Sequence, residues 1–563
     1  MKTILTTLNA KYIHTSLALR LLYVANKEHF DISYREYVIK ENAEKIATDL
    51  LSQCPDVICF AVYIWNTDQT KALISLLKEK KSSLIIIIGG PEVTYEPQFF
   101  IKCWNINFVI SGEGEFVLGE LLNAIENNKS TDNIAGVSSS NNISKDIVKA
   151  DINHLSLLPS PYMLEEDKES IKNKLVYFES SRGCPYLCQY CLSSLEKGVR
   201  HYPIEYVFSN LKYLIDNGAK QIKFLDRTFN LDKKRTLSIF NFLIKNYRQK
   251  LSIQFEIYAD ILTDDIIEYL NENLPHNYFR FEIGIQSTYE PTNTAVKRKQ
   301  NFALLAQNVR KIMSGGKIDL HLDLIAGLPH ETYKYFVKSF NDVFALNVKE
   351  IQLGFLKMLR GTGLRNNAKI YGYSYKETAP YEIEYNNSIS TKELERIRNA
   401  EHVLEKYWNS ERFTNTMNIL IQEYYMGQYF ELFDEIGQFY KINDYPLYGY
   451  QLEDLFRSLH RFLLSKNINL TDTLRIDYYN NFNIRPHGFW EKKLDKEKLK
   501  HLRYKIGQDK AFLLKYGFNR KTIEKQTAIE QLNDNNYLLI VFITKDESVK
   551  RLFIPYTVVN NEN

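Results

Sequence analysis

Short apolar runs alternate with amphipathic stretches along the first 128 residues of the chain. A short apolar run bounded by polar residues indicates a buried strand, whereas apolar residues spaced three and four apart indicate a helix that packs on it. Strands that alternate with helices pair in parallel, so this segment predicts a doubly wound α/β domain. The predicted strands are residues 3–8, 32–38, 57–62, 84–88 and 108–111, and the predicted helices are residues 16–25, 43–51, 69–80 and 115–125.

Polar and glycine-containing loops follow the predicted strands of this first domain. Ligands of doubly wound sheets bind at the carboxyl ends of the strands, which is where these loops begin. Glycine at such a position lets the backbone approach a ligand closely. The candidate ligand-binding residues of the loops are therefore His14, Trp65, Gly89, Gly90, Gly112 and Glu113.

A second alternation of strands and helices covers residues 173–370, after a polar segment at 129–172. The polar segment is rich in Ser and Asn and ends in Leu-Leu-Pro-Ser-Pro, a composition typical of a linker. Beyond it, six apolar runs each end in polar residues, which predicts a second parallel α/β domain. Its predicted strands are residues 175–179, 221–225, 252–257, 278–285, 320–325 and 350–356.

The alternation stops near residue 371, and residues 371–563 are predicted to form a mostly helical accessory domain. Long amphipathic helices are predicted at 391–408 and 450–466, and a β-hairpin at 537–544 and 550–556. Residues 485–525 hold 13 Lys and Arg against 5 Asp and Glu, with Phe489 and Trp490 among the interleaved aromatic residues. Such a segment can bind nucleic acid. The interpretation we favour is a helical segment whose basic residues face solvent and whose aromatic residues face the protein core.

The composition of the 563 residues is that of a folded soluble protein with several domains, at 44% apolar and 25% charged residues and a net charge of +4. This charge excludes a histone-like polycation but leaves room for a local basic patch. The longest apolar run, residues 84–88, is far too short to span a bilayer, so no membrane partner is expected. Six Cys in so long a chain do not indicate a disulfide framework. With no signal-peptide pattern at the start, we expect a cytoplasmic protein.

Three cysteines, Cys184, Cys188 and Cys191, stand at spacings of three and two intervening residues. Three thiolates in one loop supply three of the four protein ligands that a [4Fe–4S] cluster usually takes. The remaining iron is then open to a substrate or cofactor, which suits catalysis better than simple electron carriage. A tetrahedral zinc site with a distant fourth ligand is the alternative at this point.

The Cys-x3-Cys-x2-Cys loop, with Tyr190 directly before the third Cys, resembles the signature of the radical S-adenosylmethionine (radical SAM) superfamily. The resemblance implies a partial (β/α)6 TIM-like barrel, a [4Fe–4S] cluster and S-adenosylmethionine bound at the open iron. It also implies roles for strand-end residues that stand in the expected order. By this resemblance Asp226 lies near the methionine amino group, Glu282, Gln286 and Ser287 contact the ribose and the methionine carboxylate, and Gly327 packs against adenine. Tyr190 is included in the same S-adenosylmethionine site.

The first domain resembles the Rossmann-like cobalamin-binding domain that precedes many radical SAM cores, in which Gly-Gly-Pro follows one strand and Gly-Glu-Gly-Glu opens the last helix. The Asp-x-His-x-x-Gly loop that supplies the lower cobalt ligand of mutases is absent. His14 lies in the corresponding loop and has an imidazole nitrogen that can coordinate cobalt. A His that only forms local hydrogen bonds is the interpretation we favour for this residue.

These resemblances imply a cobalamin-dependent radical SAM enzyme, with methyl transfer to an unactivated carbon as the leading hypothesis. Such an enzyme needs a reductase, flavodoxin or ferredoxin as electron donor. A cyclisation, ring contraction or rearrangement is the first alternative, and a cobalamin- or redox-responsive nucleic-acid-binding regulator is another. A methylthiotransferase would need a second cluster, for which Cys54, Cys59 and Cys103 are the remaining thiols. Their scattered positions argue against it, and the sequence assigns no catalytic side chain.

Overall fold

The computed structural model describes residues 1–483, 494–532, 536–545 and 548–557. The chain forms two compact units, Met1–Leu394 and Glu395–Asn563. The first unit contains two six-stranded sheets, and the second contains helices and a three-stranded sheet.

The first sheet has the strand order β2-β1-β3-β4-β5-β6. All neighbouring strands pair in parallel except β6, which runs antiparallel to β5. The predicted doubly wound domain is confirmed, and its order reverses between β1 and β3, which is where such folds bind ligands. The strands are β1 Thr3–Asn9, β2 Ile32–Val38, β3 Val57–Ala61, β4 Ile85–Gly89, β5 Phe108–Ile110 and β6 Val137–Ser138. The helices are α1 Leu17–Asn26, α2 Ala43–Ser52, α3 Thr67–Lys80, α4 Pro97–Cys103, α5 Val117–Glu126 and α6 Ile152–Leu157.

Two apolar clusters cover the two faces of the first sheet. One contains Ile46, Leu73 and Phe100 from α2, α3 and α4. The other contains Leu19 and Leu121 from α1 and α5. Because both faces are buried, the central strands β3 and β4 are almost continuously apolar, and this is why their positions could be predicted from the sequence.

Residues 129–172, which the sequence marks as linker-like, complete this sheet. They supply β6 at its edge, and Val148 pairs with Gly112 through a parallel bridge. Gly112 has a φ of +102°, and a Cβ added to it would lie 2.2 Å from the carbonyl oxygen of Val148. The segment is therefore held in place by backbone contacts that depend on glycine.

The second sheet consists of six parallel strands in the order β14-β13-β12-β11-β10-β7, which is the chain order of a partial (β/α)6 barrel. The predicted architecture is confirmed. The strands are β7 Leu175–Phe178, β8 Ser181–Arg182, β9 Arg200–His201, β10 Gln221–Phe224, β11 Ser252–Ile257, β12 Phe279–Gln286, β13 Asp319–Ala326 and β14 Glu350–Phe355, of which β8 and β9 form a separate antiparallel pair. The helices are α7 Ile204–Asp216, α8 Lys233–Lys245, α9 Asp264–Asn273, α10 Glu290–Ala295, α11 Phe302–Gly315, α12 Tyr333–Phe344 and α13 Gly363–Asn366.

Alternate residues of these strands face two different environments. Along β12, Phe279 and Phe281 are buried, whereas the alternating Arg280 and Glu282 are partly exposed. Phe279 and Phe281 pack with Phe240 of α8, at centroid distances of 5.2 and 6.0 Å. The apolar core therefore lies between strands and helices, while the opposite face of the sheet carries polar side chains.

The remaining elements follow β14. A short antiparallel pair, β15 Ser374–Tyr375 and β16 Ile383–Tyr385, still belongs to the first unit. The helices are α14 Thr391–Leu404, α15 Thr414–Ile419, α16 Tyr429–Ile442, α17 Leu452–Ser465, α18 Thr471–Asn481, α19 Lys496–Gln508, α20 Lys510–Tyr516 and α21 Arg520–Lys525. The final sheet is β17 Thr527–Gln531, β18 Asn536–Lys545 and β19 Ser548–Thr557.

The basic and aromatic segment near the end folds largely as helices that pack on the final sheet. Leu502, Ile506 and Ile523 share a core cluster with Leu539 and Val541. This packing accounts for the interleaved apolar residues of the described part, as the favoured interpretation expects. Phe489 and Trp490 lie outside the described residues. In the described part of the chain, no helix has both the length and the apolar character needed to cross a bilayer.

The substitution Gly112→Ala should lower the free energy of unfolding by roughly 1–3 kcal/mol through backbone strain, with the clash against Val148 added to it. Urea unfolding measures this loss. Gly316→Ala is the matched control, because Gly316 also has a positive φ, +62°, but has no atom within 4 Å of an added Cβ. Equal losses in the two variants would contradict the packing role of Gly112.

Candidate functional site

A short antiparallel ladder closes the loop that carries the three cysteines. Ser181 pairs with His201, and Arg182 pairs with Arg200, so β8 and β9 form two stems of one loop. Gly183 continues the first stem with a φ of +92°, and a Cβ there would lie 2.2 Å from the carbonyl oxygen of Gly198. The two stems thus run in close backbone contact immediately before Cys184.

The three thiols lie near one another at the end of these stems. Cys188 is buried, whereas Cys184 and Cys191 are partly exposed. Burial raises the pKa of Cys184 and of Cys188, and each is raised further by the proximity of Cys191. Across the described ranges, no three His, Cys, Asp or Glu side chains converge where a single metal ion could sit. Three thiols in one loop fit a cluster, in which each thiolate binds a different iron.

Arg298 lies directly against the cysteine loop, and no motif of the sequence pointed to it. Its guanidinium donates to the Tyr190 hydroxyl over 3.1 Å and lies 3.9 Å from the Cys188 sulfur. A further hydrogen bond joins it to the carbonyl of Gly284, and the group stacks 4.8 Å from the ring of Tyr258. Arg298 therefore places a buried positive charge beside Cys188, the most buried of the three loop cysteines.

Asp226 stands at the carboxyl end of β10, but its carboxylate is occupied by the neighbouring strand. The backbone N–H of Ser180 donates over 2.9 Å, and the hydroxyls of Ser180 and Ser181 donate over 2.6 Å each. Burial raises the pKa of Asp226, and these hydrogen bonds oppose that effect. Asp226 thus fixes the residues that lead into the cysteine loop. Its contact with a methionine amino group stays a prediction.

Glu282 lies within β12 and forms an ion pair on the polar face of the sheet. Lys223 approaches its two oxygens to 3.0 and 2.8 Å, and Gln254 donates a further hydrogen bond. These contacts come from the two preceding strands of the sheet, so Glu282 already has protein partners before any ligand binds.

A β-bulge between Gly284 and Gln286 ends β12, and Ser287 follows it directly. Gln286 has a φ of +69°, and its Oε1 atom is buried without a hydrogen-bond partner. A buried acceptor in this state is available to a ligand. Ser287 instead points into the protein, where it donates to Glu331 over 2.5 Å. Burial raises the pKa of Glu331 to about 7.

Gly327 forms a turn that supports the segment beyond the barrel. Its φ is +90°, and an added Cβ would lie 1.9 Å from the side chain of Ile383. Its carbonyl accepts hydrogen bonds from Tyr373 and Asn386, each over 2.9 Å. The observed contacts of Gly327 are therefore with residues that follow β14, and packing against adenine stays a prediction.

His14 and Trp65 lie at the switch point of the first sheet. The Nδ1 atom of His14 lies 2.9 Å from the hydroxyl of Tyr177 in β7, which leaves Nε2 as the nitrogen that can coordinate a metal. Burial lowers the pKa of His14, so the imidazole is neutral near pH 7. Trp65 is half-exposed and stacks on Tyr63, with ring centroids 4.4 Å apart. An exposed aromatic face of this kind suits a flat ligand.

Two of the predicted glycines, Gly90 and Gly112, pack directly against the backbone of a neighbouring segment. A Cβ on Gly90 would lie 2.6 Å from the carbonyl oxygen of Val62, much as Gly112 lies against Val148. Gly89 has only ordinary contacts, the nearest being 3.6 Å from the carbonyl of Ile110. The fold therefore requires glycine at positions 90 and 112, where a side chain would clash with the neighbouring backbone. A direct contact of Gly89, Gly90 or Gly112 with a ligand stays a prediction.

Arginine–carboxylate contacts join the carboxyl ends of the two large sheets. Glu113, in the loop after β5, contacts both Arg182 and Arg200 of the cysteine-loop stems. Glu92, in the loop after β4, contacts Arg360, which follows β14. The structure thus brings the candidate loops of the first domain to the same end of the unit as the cysteines. Glu282 lies apart from these contacts.

Family models match three consecutive parts of the chain. The B12 binding domain matches residues 4–122, the radical SAM superfamily matches residues 178–343, and a protein family of unknown function (DUF4080) matches residues 369–549. The chain is a radical SAM enzyme with a B12-binding domain. Its cofactors are a [4Fe–4S] cluster, S-adenosylmethionine and cobalamin, in agreement with the sequence prediction.

Curated relatives of this enzyme include methyltransferases. An uncharacterized methyltransferase, PH0819, from Pyrococcus horikoshii is 26% identical over 335 residues, which cover 56% of this chain and 71% of that protein. The cobalamin-dependent radical SAM methyltransferase TokK from Streptomyces tokunonensis is 24% identical over 345 residues, which cover 57% of this chain and 50% of TokK. The chain therefore spans about half the length of TokK.

Solved structures share the fold. The cobalamin-dependent S-adenosylmethionine radical enzyme OxsB, with aqua-cobalamin and S-adenosylmethionine bound, matches with a TM-score of 0.60 and 14% identity, over 89% of this chain and 83% of that one. The radical S-adenosylmethionine methyltransferase TsrM from Kitasatospora setae, with cobalamin and a [4Fe–4S] cluster bound, matches with a TM-score of 0.56 and 14% identity, over 67% of this chain and 78% of that one.

The remaining cysteines give no support to a second cluster. Cys59 is buried within β3, whereas Cys54 and Cys103 are exposed. Burial raises the pKa of the Cys59 thiol, as expected for a small apolar residue in a core. One buried and two exposed thiols at separate places in the first domain give no support to the methylthiotransferase alternative.

The substitution Arg298→Met should reduce cluster retention or S-adenosylmethionine cleavage by roughly 10- to 100-fold, as is typical when the hydrogen-bonding partners of metal ligands are removed. The reason is the loss of the charge and hydrogen bonds beside Cys188 and Tyr190. Iron content and the electron paramagnetic resonance (EPR) spectrum of the reduced cluster measure the effect. Arg298→Lys keeps the charge and should be milder, so an Arg298→Met variant with wild-type iron content and cleavage would refute the prediction.

Glu331 should make the stability of the fold depend on pH. Its pKa is raised to about 7 in the folded protein, from 4.5 ordinarily, so the folded state holds the proton more tightly and loses stability as the pH rises from about 4.5 through 7. Glu331→Gln removes this titration. The variant should gain stability relative to wild type between pH 5.5 and pH 8, by about 2 kcal/mol. Urea unfolding at the two pH values tests this. If the free energies of unfolding of Glu331→Gln and wild type differ by the same amount at both pH values, the prediction is contradicted.

Proposed function

We propose that this enzyme transfers a methyl group to an unactivated carbon of its substrate. The observation that carries the proposal is the joining of the cysteine loop to the loop after β5 of the B12-binding domain, through Arg182, Arg200 and Glu113. The methyltransferase names of PH0819 and TokK support the same reaction class. In such a reaction cobalamin carries the methyl group, while the cluster and S-adenosylmethionine supply the radical that activates the carbon.

The protein's own residues would prepare this chemistry in distinct ways. Cys184, Cys188 and Cys191 would hold the cluster and leave one iron without a protein ligand. Arg298 and Tyr190 form a hydrogen-bonded pair beside Cys188. Hydrogen bonds near the sulfurs of an iron–sulfur cluster change the reduction potential of the cluster. The unpartnered Oε1 atom of Gln286 would accept a hydrogen bond from S-adenosylmethionine.

The B12-binding domain would contribute the surface that receives cobalamin. Trp65 presents a half-exposed ring supported by Tyr63, which suits the flat face of a corrin. His14, neutral and with Nε2 uncommitted to Tyr177, is the candidate for a lower ligand. We also propose that a flavodoxin, a ferredoxin or a reductase delivers the electron to the cluster, as the radical chemistry requires.

A second candidate function is a cobalamin-dependent cyclisation or rearrangement. The anaerobic magnesium-protoporphyrin IX monomethyl ester cyclase from Synechocystis is 25% identical over 289 residues, which cover 45% of this chain and 52% of that protein. Methyl transfer adds one carbon to the product, whereas a cyclisation or rearrangement adds none, so the two candidates differ in product mass.

Product analysis with S-adenosylmethionine that carries a trideuteriomethyl group tests the proposal. Reconstituted enzyme and a small-molecule extract should yield 5′-deoxyadenosine, S-adenosylhomocysteine and a product that contains the labelled methyl group. Cys184→Ala should abolish 5′-deoxyadenosine formation, because the cluster loses a ligand. Cys103→Ala, at an exposed thiol of α4, is the matched control and should keep it. Formation of 5′-deoxyadenosine without S-adenosylhomocysteine or label transfer would favour the second candidate.

A further inference from the structure

Glu113 contacts both stems of the cysteine loop with one carboxylate. Its Oε2 atom lies 2.9 Å from Nη1 of Arg182 and 3.1 Å from Nη1 of Arg200. Its Oε1 atom accepts a second hydrogen bond from Arg200. Because Arg182 and Arg200 face each other across the β8–β9 ladder, this single side chain lies at the base of the loop that carries the cluster ligands.

The other side of Glu113 is fixed to the B12-binding domain. Its backbone N–H donates to the carbonyl of Val148 over 2.9 Å, and its Oε2 atom accepts from the backbone N–H of Ala150 over 2.9 Å. Burial alone would raise the pKa of Glu113, but Arg200 and Arg182 outweigh it and lower the pKa, so the carboxylate is charged. A charged carboxylate is thus presented from the end of β5 to the loop of the other domain.

We propose that Glu113 is a positioning residue that couples cobalamin binding to the conformation of the cysteine loop. A ligand at the carboxyl end of the first sheet contacts the loops that follow its strands. Ordering of the loop after β5 fixes the Glu113 carboxylate, and the carboxylate in turn fixes Arg182, two residues before Cys184. The inference rests on cobalamin binding by the B12-binding domain, and it holds whether the reaction is methyl transfer or rearrangement.

Coupling of this kind is reciprocal, which makes it measurable by binding alone. If the cysteine loop and the cobalamin site are linked, S-adenosylmethionine bound at the cluster changes the affinity for cobalamin, and cobalamin changes the affinity for S-adenosylmethionine by the same factor. Couplings between protein sites typically amount to a factor of roughly 5 to 150.

Asp167 provides a matched control within the same unit. It forms a two-point contact with the buried Arg20, over 2.5 and 2.7 Å, and its side chain is 13% exposed, as is that of Glu113. Arg20 belongs to α1, and its side chain donates to Ser16, Glu36 and Asp167, all of which lie outside the cysteine-loop stems. Asp167→Asn therefore removes an equally buried carboxylate charge without removing a contact to the cysteine-loop stems.

The experiment titrates hydroxocobalamin into cluster-loaded enzyme, with and without S-adenosylmethionine, and follows the visible spectrum anaerobically. The wild type and Asp167→Asn should show a dissociation constant for hydroxocobalamin that changes by roughly 5- to 150-fold on adding S-adenosylmethionine. The ratio of the dissociation constants measured without and with S-adenosylmethionine should be close to one in Glu113→Gln. Arg200→Gln, which removes the more exposed partner of Glu113, should reduce the ratio in the same direction.

Hydrogen exchange of residues 183–199 on adding hydroxocobalamin supplies a readout that does not depend on the reaction. The wild type should gain protection in this loop, and Glu113→Gln should not, even though its spectrum shows that hydroxocobalamin is bound. A wild-type ratio of one, a Glu113→Gln ratio equal to wild type, or equal losses in Glu113→Gln and Asp167→Asn would each overturn the proposal. Failure of methyl transfer alone would leave these binding results unaffected.

Discussion

Buried contacts between arginines and glutamates hold the carboxyl ends of the two parallel sheets together. Arg182 alone contacts Glu113, Glu115 and Glu179, over 2.7–3.0 Å, with only 9% of its side chain exposed. Arg360 forms a second such centre with Glu92 and Glu96. Because the ligand-binding loops of both domains begin at these strand ends, the relative position of the two cofactor surfaces depends on these contacts.

Buried ion pairs are a poor source of stability, since desolvation of the charges offsets much of their attraction. What they provide is geometry, because an arginine bound by two or three carboxylates has few alternative arrangements. Removing one partner is costly, because it leaves a buried charge uncompensated. The carboxylates of Gly-Gly-Pro-Glu and Gly-Glu-Gly-Glu, which sit in loops expected to bind a ligand, contact arginines of the barrel domain and so align the B12-binding domain with it. A direct contact of Glu113 with cobalamin stays a prediction.

Much of the fold was predictable because its signals are local. The strands β2 and β11 have the predicted bounds, and the six strands of the barrel pair in chain order. The helix α4 and the strand β17 were missed because each is short, and α4 begins at a proline. The apolar residues of segment 129–172 are sparse, so its packing against Gly112 could not be distinguished from a linker.

The site was predictable only where chemistry dictates spacing. Three cysteines in one loop identify a cluster, but Arg298 stands 110 residues from Cys188 in the sequence and becomes visible only when α10 and the loop are packed together. The same holds for Asp226, whose carboxylate is taken up by Ser180 and Ser181, and for Ser287, which turns toward Glu331. Such pairings depend on tertiary contacts that no local pattern encodes.

The most direct test of the account is the magnetic interaction between the reduced cluster and cob(II)alamin, both of which carry an unpaired electron. If the arginine–glutamate contacts hold the two cofactor surfaces together, EPR of enzyme loaded with both should show spectra altered by spin–spin interaction, compared with enzyme loaded with either one alone. A spectrum equal to the sum of the two separate spectra would contradict the account, because the cofactors would then lie far apart.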